Sequence, residues 1–81
     1  MDNIVEKLLN KVLLPRYPLI ERIEVIRDDD FDYTTYKIYV ITKTYEAIED
    51  DYKIVKDING LTKLVGVPRR DIENIIFSVD D

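Results

Sequence analysis

Apolar side chains fall at Ile4, Val5, Leu8, Leu9, Val12 and Leu13, the spacing of one helix face, while Glu6, Lys7, Asn10 and Lys11 fill the other. A helix over residues 2–14 follows, with Asp2 or Asn3 placed to cap it and Pro15 and Pro18 placed to end it. The period then changes. Residues 19–27, LIERIEVIR, alternate as a strand does. Strict alternation puts Leu19, Glu21, Ile23 and Val25 on one face and Ile20, Arg22, Glu24 and Ile26 on the other. The run DDDFD is turn chemistry, because Asp bonds its own backbone. Next comes YTTYKIYVITKT, rich in β-branched and aromatic residues, with Tyr36, Ile38, Val40 and Thr42 opposed to Lys37, Tyr39, Ile41 and Lys43. The two strands form an antiparallel hairpin. Thr44 can cap a second helix, where Glu46, Glu49, Asp50 and Asp51 suit the N-terminal end of the dipole and Ile48, Tyr52, Val55 and Ile58 make the apolar stripe.

Residues 59–79 admit two readings. In one, the helix continues through Gly60 at a cost of about 1 kcal/mol. Leu61, Leu64 and Val65 then extend its stripe, Gly66 ends it, and Pro68 blocks a restart. Residues 73–79, ENIIFSV, become a third strand with Ile75, Phe77 and Val79 on one face. The fold is then α+β: an α-β-β-α-β two-layer domain, a three-stranded antiparallel sheet with two helices on one side. The alternative is a helix, a hairpin and then three helices, with the chain broken at Asn59-Gly60. Here Leu61, Val65, Val67, Ile72 and Ile75, a small residue near Thr62 and a turn at Gly66 resemble the helix-turn-helix of DNA-binding repressors over residues 61–77. That resemblance implies a DNA-binding regulator with Arg69 and Arg70 at the front of the recognition helix and Lys63 beside them. Three features favour the strand. The segment ends in Asp80-Asp81, which opposes the dipole of a helix C-terminus. IIFSV is β-branched and aromatic. A hairpin alone is marginal and gains from a third strand. The α-β-β-α-β order also resembles some RNA-binding domains of the KH type, but their backbone-clamping G-x-x-G loop is missing, so that function is not carried over.

Composition narrows the chemistry. The chain has 81 residues, which fits a single domain over 1–81, and a domain this small buries only about 60% of its unfolded surface. It has neither Cys nor His, so thiolate chemistry, the commonest general base and the commonest zinc ligand are all missing. Asp28, Asp30 and Asp32 have the spacing that opens a calcium loop, yet the sixth and twelfth positions are Tyr33 and Tyr39 where such a loop needs Gly and Glu. We read that run as a solvated acidic turn, and no metal or cofactor is expected. With only Gly60 and Gly66 there is no phosphate-cradling loop, and the single Ser, Ser78, lies in no nucleophile elbow. An enzyme is not expected.

The net charge of −5 is concentrated in residues 28–51, which carry two basic and eight acidic side chains. Such charge repels phosphate and opposes non-specific nucleic-acid binding. Lys63, Arg69 and Arg70 are the one basic cluster of note. They read as a solvated turn, as phosphate or DNA contacts under the helix-turn-helix alternative, or as an ion-pair site for an acidic partner. No apolar run approaches the roughly 18 residues that span a bilayer, and the N-terminus lacks the basic region of a secretory signal, so a cytoplasmic protein is expected. Ile, Lys, Asn and Tyr, all with AT-rich codons, are plentiful and point to an AT-rich genome such as that of a phage or bacterium.

The second face of the hairpin carries the functional expectation. If the helices cover Ile23, Val25, Ile38 and Val40, then Ile20, Ile26, Tyr39 and Ile41 face outward, rimmed by Arg22, Lys37 and Lys43. A fully solvated sheet face is normally more polar. The pattern predicts a non-catalytic protein–protein interaction or assembly module, a homo-oligomer or small accessory subunit of a larger structure.

Overall fold

The computed structural model describes residues 3–46 and 51–80, so the expected roles of Asp2, Ile48, Glu49, Asp50 and Asp81 lie outside the described residues. The first helix, α1, spans Ile4–Arg16. Asn3 caps it, its Oδ1 accepting from the Glu6 N–H at 3.0 Å. Val5, Leu9 and Leu13 form its buried stripe. Pro15 does not end the helix, because the missing N–H falls in the last turn, where the Tyr17 N–H still reaches the Leu13 carbonyl at 2.8 Å.

Two strands follow, β1 over Ile20–Asp29 and β2 over Thr34–Thr42. They pair antiparallel, with Ile23 opposite Val40 and Val25 opposite Ile38. The acidic turn closes as its composition requires. The Asp30 N–H donates to the Tyr33 carbonyl at 2.8 Å, and the Asp30 carboxylate accepts from the Phe31 N–H at 2.8 Å.

The second helix, α2, spans Asp51–Leu64 and passes through Gly60 without a break. Gly66 ends it at φ +84°, a value that side-chain-bearing residues rarely adopt. Its N–H reaches the Lys63 carbonyl at 3.2 Å, and the Val67 N–H reaches that of Thr62 at 2.9 Å. After Pro68 comes a single 3₁₀ turn, Arg69–Asp71, and then strand β3 over Ile72–Val79. The helix-turn-helix at 61–77 is therefore not formed. Its second helix is a strand, because five apolar residues of high β propensity gain a parallel ladder against β2.

One expectation about the sheet is corrected. Strand order is β1-β2-β3, and β3 runs parallel to β2, so the sheet is mixed and not antiparallel throughout. The cause is the connection. A lone helix between two adjacent strands returns the chain to its starting end, and the second strand then runs the same way as the first. The architecture is otherwise the α-β-β-α-β two-layer domain. Val5, Leu9 and Leu13 of α1, Ile54 and Ile58 of α2, and Val67 pack with Ile20, Ile23, Val25, Ile38 and Val40 into one core. No described helix is long and apolar enough to cross a membrane.

The two edges of the sheet are treated differently. On β1, the outward-pointing backbone of Ile23 and Val25 is satisfied by α1. The Val25 N–H donates to Glu6 Oε1 at 2.9 Å, its carbonyl accepts from Asn3 Nδ2 at 2.7 Å, and Asn10 takes both groups of Ile23. The β3 edge has no such cover from any other described residue.

Candidate interaction surface

Both helices lie on one face of the sheet, and no described helix covers the opposite face. Its register is set by the strand pairing. Across the three strands run Ile26 and Lys37 with Asn74, Glu24 and Tyr39 with Ile76, and Arg22 and Ile41 with Ser78. Tyr39, Ile41 and Ile76 make a continuous apolar centre on β2 and β3, with Ile26 diagonal to Tyr39. Ile26 is 51% exposed and Ile76 is 36% exposed, whereas Ile41, in the middle of the sheet, is buried among its neighbours. Around this centre the charged side chains pair with one another. Arg22 Nε lies 2.7 Å from Glu24 and its Nη1 3.4 Å from Asp80, and Lys37 Nζ lies 3.8 Å from Glu73. The Glu24 hydrogen bond raises the Arg22 guanidinium above its ordinary pKa, so it stays charged throughout.

Of the residues expected on this face, Ile26, Tyr39 and Ile41 are there and Ile20 is not. Ile20 is 2% exposed and sits in the core. The reason is a bulge: Ile20 lies opposite Thr42 and Arg22 opposite Ile41, so one residue of β1 is extra and the alternation reverses. Ile76 takes its place in the patch. The signal for it was present, since Ile75, Phe77 and Val79 share the inner face and leave Ile76 on the outer one.

The basic residues do not form a reading head. Lys63 is in the last turn of α2, and Arg69 and Arg70 lie beyond the Gly66 turn in the 3₁₀ segment. All three are exposed. On the acidic side, Asp29 accepts from Thr34 Oγ1 at 2.7 Å and from Arg27 Nε at 3.1 Å, and these bonds hold its carboxyl below the usual carboxylate range. Among the described residues no three acidic side chains converge as a cation site would require. A recess of about 270 Å³ between the start of α1 and the hairpin is lined by Asn3, Ile4, Val5, Arg27, Tyr36, Val65 and Val67. Its one charged group, Arg27, is already paired with Asp29.

No protein-family model matches the sequence, and no curated protein matches it. In fold the chain is similar to the MamM CTD. One solved structure, covering residues 215–293 of that protein, superposes with a TM-score of 0.51 at 12% identity, over 94% of this chain and 92% of that one. A variant of the same domain in a copper form gives 0.51 at 12% identity, over 94% and 91%. A variant in a nickel form gives 0.51 at 12% identity, over 94% and 92%. Identity this low establishes a shared fold and carries no chemistry with it.

Proposed function

We propose that this chain is a non-catalytic protein-interaction module that works in assembly, using the open face of its sheet. The observation that supports the reading is the one-sided cover of the sheet. An apolar centre of Tyr39, Ile41 and Ile76 with Ile26 stands outside the core, and its charged rim is already neutralised by pairing. An apolar centre with its charge confined to the rim is the composition of a protein–protein interface. The residue inventory agrees, for the chain has no His and no Cys, and its only Ser is on β3. The copper and nickel forms belong to the MamM CTD. Those metals favour imidazole and thiolate donors that this chain lacks, so metal binding does not come with the fold.

The occupant of the face is a second copy or a companion subunit. Sedimentation velocity over a wide concentration range tests self-association. The wild type is expected to form a larger species. Tyr39→Glu and Ile76→Glu are expected to give smaller species with unchanged circular dichroism, since both side chains project outside the core. A wild type that stays monomeric when concentrated and takes up no companion overturns the reading.

A further inference from the structure

We propose that the open edge of β3 pairs antiparallel with β3 of a second copy, joining two three-stranded sheets into one of six strands. The inference shares with the proposed function the idea that the chain self-associates, but it uses a different surface.

The argument begins with the backbone. The Asp80 N–H donates to the Thr42 carbonyl at 2.8 Å, so at that point the even-numbered residues of β3 turn their amides toward β2. Successive residues alternate. Ile75, Phe77 and Val79 therefore direct both N–H and C=O to the outer edge, which matches their pairing with Ile38, Val40 and Thr42 in the parallel ladder. No hydrogen bond from another described residue reaches these groups. Their side chains are half-buried on the helix-covered face, so the strand is anchored to the core while no described residue covers its edge.

Exposed strand edges are normally guarded by Lys, Pro, a bulge or a covering element. The β1 edge has its cover, the Asn3, Glu6 and Asn10 side chains. The segment IENIIFSV has neither Lys nor Pro, and its one charge, Glu73, is drawn to Lys37 within the same copy. The bulge of β3 lies at its start, between the residues paired to Tyr36 and Lys37, and leaves Ile75 to Val79 regular.

Charge selects the occupant and its direction. Arg69, Arg70 and Asp71 precede β3 with a net positive charge, and Asp80 follows it. Parallel pairing of two copies would set Arg against Arg and Asp against Asp. Antiparallel pairing brings Arg69 and Arg70 of each copy toward Asp80 of the other, an exposed carboxylate whose own-copy partner, Arg22, lies at 3.4 Å, twice by symmetry. It also brings the two Ile76 side chains close, so that the two apolar centres become one. The product is closed. Its remaining edges are the two β1 strands, whose central Ile23 and Val25 are already taken by α1, so the contact favours a dimer over a filament.

Hydrogen exchange of single amides tests this on the wild-type chain. On passing from micromolar to millimolar protein, the amides of Ile75, Phe77 and Val79 are expected to slow by about tenfold or more, since pairing withdraws them from water. The slowing is expected to persist in Tyr39→Glu, where the outer face is disabled. The pair Arg69→Glu with Arg70→Glu should weaken the dimer roughly tenfold, and adding Asp80→Lys should restore part of it. If a larger species forms while these three amides exchange at a concentration-independent rate, edge pairing is wrong and association through the face stands. If no larger species forms at all, edge pairing falls, and association through the face stands only with a companion subunit.

Discussion

Asn10 treats Ile23 as a neighbouring strand would: its Nδ2 donates to the Ile23 carbonyl at 2.8 Å and its Oδ1 accepts from the Ile23 N–H at 2.9 Å. A helix side chain thus completes the ladder of an edge strand. The same Nδ2 also donates to the Glu6 carbonyl at 2.8 Å, which fixes the amide's orientation. Asn10→Leu keeps the size and removes both bonds, leaving two half-buried backbone groups unpaired. A loss of about 1–3 kcal/mol in urea unfolding is expected. Light scattering should rise as well, because the β1 edge is then open to other chains. Asn10→Asp keeps the acceptor for the Ile23 N–H and should lie between the two.

The two glycines should respond to alanine with opposite signs. Gly60 lies inside α2, and a Cβ there would meet nothing within 4 Å. Gly60→Ala is expected to stabilise by about 0.5–1 kcal/mol through helix propensity. Gly66 also has room for a Cβ, but its φ is +84°. Gly66→Ala is expected to cost about 1 kcal/mol for backbone strain alone. Thermal unfolding of the two variants side by side checks both.

Asp57 on α2 ties the helices together. Its Oδ2 accepts from Tyr17 Oη at 2.7 Å and from Arg16 Nη1 at 3.0 Å. The Tyr17 hydrogen bond first, and then Arg16, hold its carboxyl below the ordinary value. Because the folded pKa is lowered, the contribution is complete above the unfolded carboxyl value of about 3.9 and is lost as pH falls through the lower, folded one. The stability difference between wild type and Asp57→Asn should accordingly be present at neutral pH and disappear in strong acid. Tyr17→Phe should cost about 1 kcal/mol. It should also move the Asp57 carboxyl titration upward, as read from side-chain carbon shifts.

The element order was legible because each element carries its own period, and the strand reading of residues 73–79 rested on IIFSV and the acidic terminus that follows. Relations between elements were less so. Glu6 and Asn10 read as the solvated side of an amphipathic helix, and nothing local shows that the side chains would meet a strand edge 13 or more residues away. The parallel run of β3 is a property of the connection, so it is invisible in the strand's own alternation. Of the candidate surface, Ile26, Tyr39 and Ile41 were readable from a period of two, because β2 is regular throughout its pairing with β1 beyond the bulge. Ile20 was not, since an inserted residue leaves no mark in composition.

That bulge makes the last prediction a comparison of two isoleucines on one strand. By strict alternation Ile20 and Ile26 share a face, and truncating either should have the same small effect. In the structure Ile20 is 2% exposed in the core and Ile26 is 51% exposed on the bare face. Ile20→Ala removes buried methyl and methylene groups and leaves a cavity against Thr42 and its neighbours, at a cost of about 2–5 kcal/mol. Ile26→Ala removes surface that water already reaches and should stay within about 0.5 kcal/mol in the monomer. For a domain this small, the first loss is a large part of the total stability. Urea titrations at a concentration low enough to keep the chain monomeric separate the two. Equal effects would mean that β1 pairs without the bulge, and that Ile20 belongs to the outer face after all.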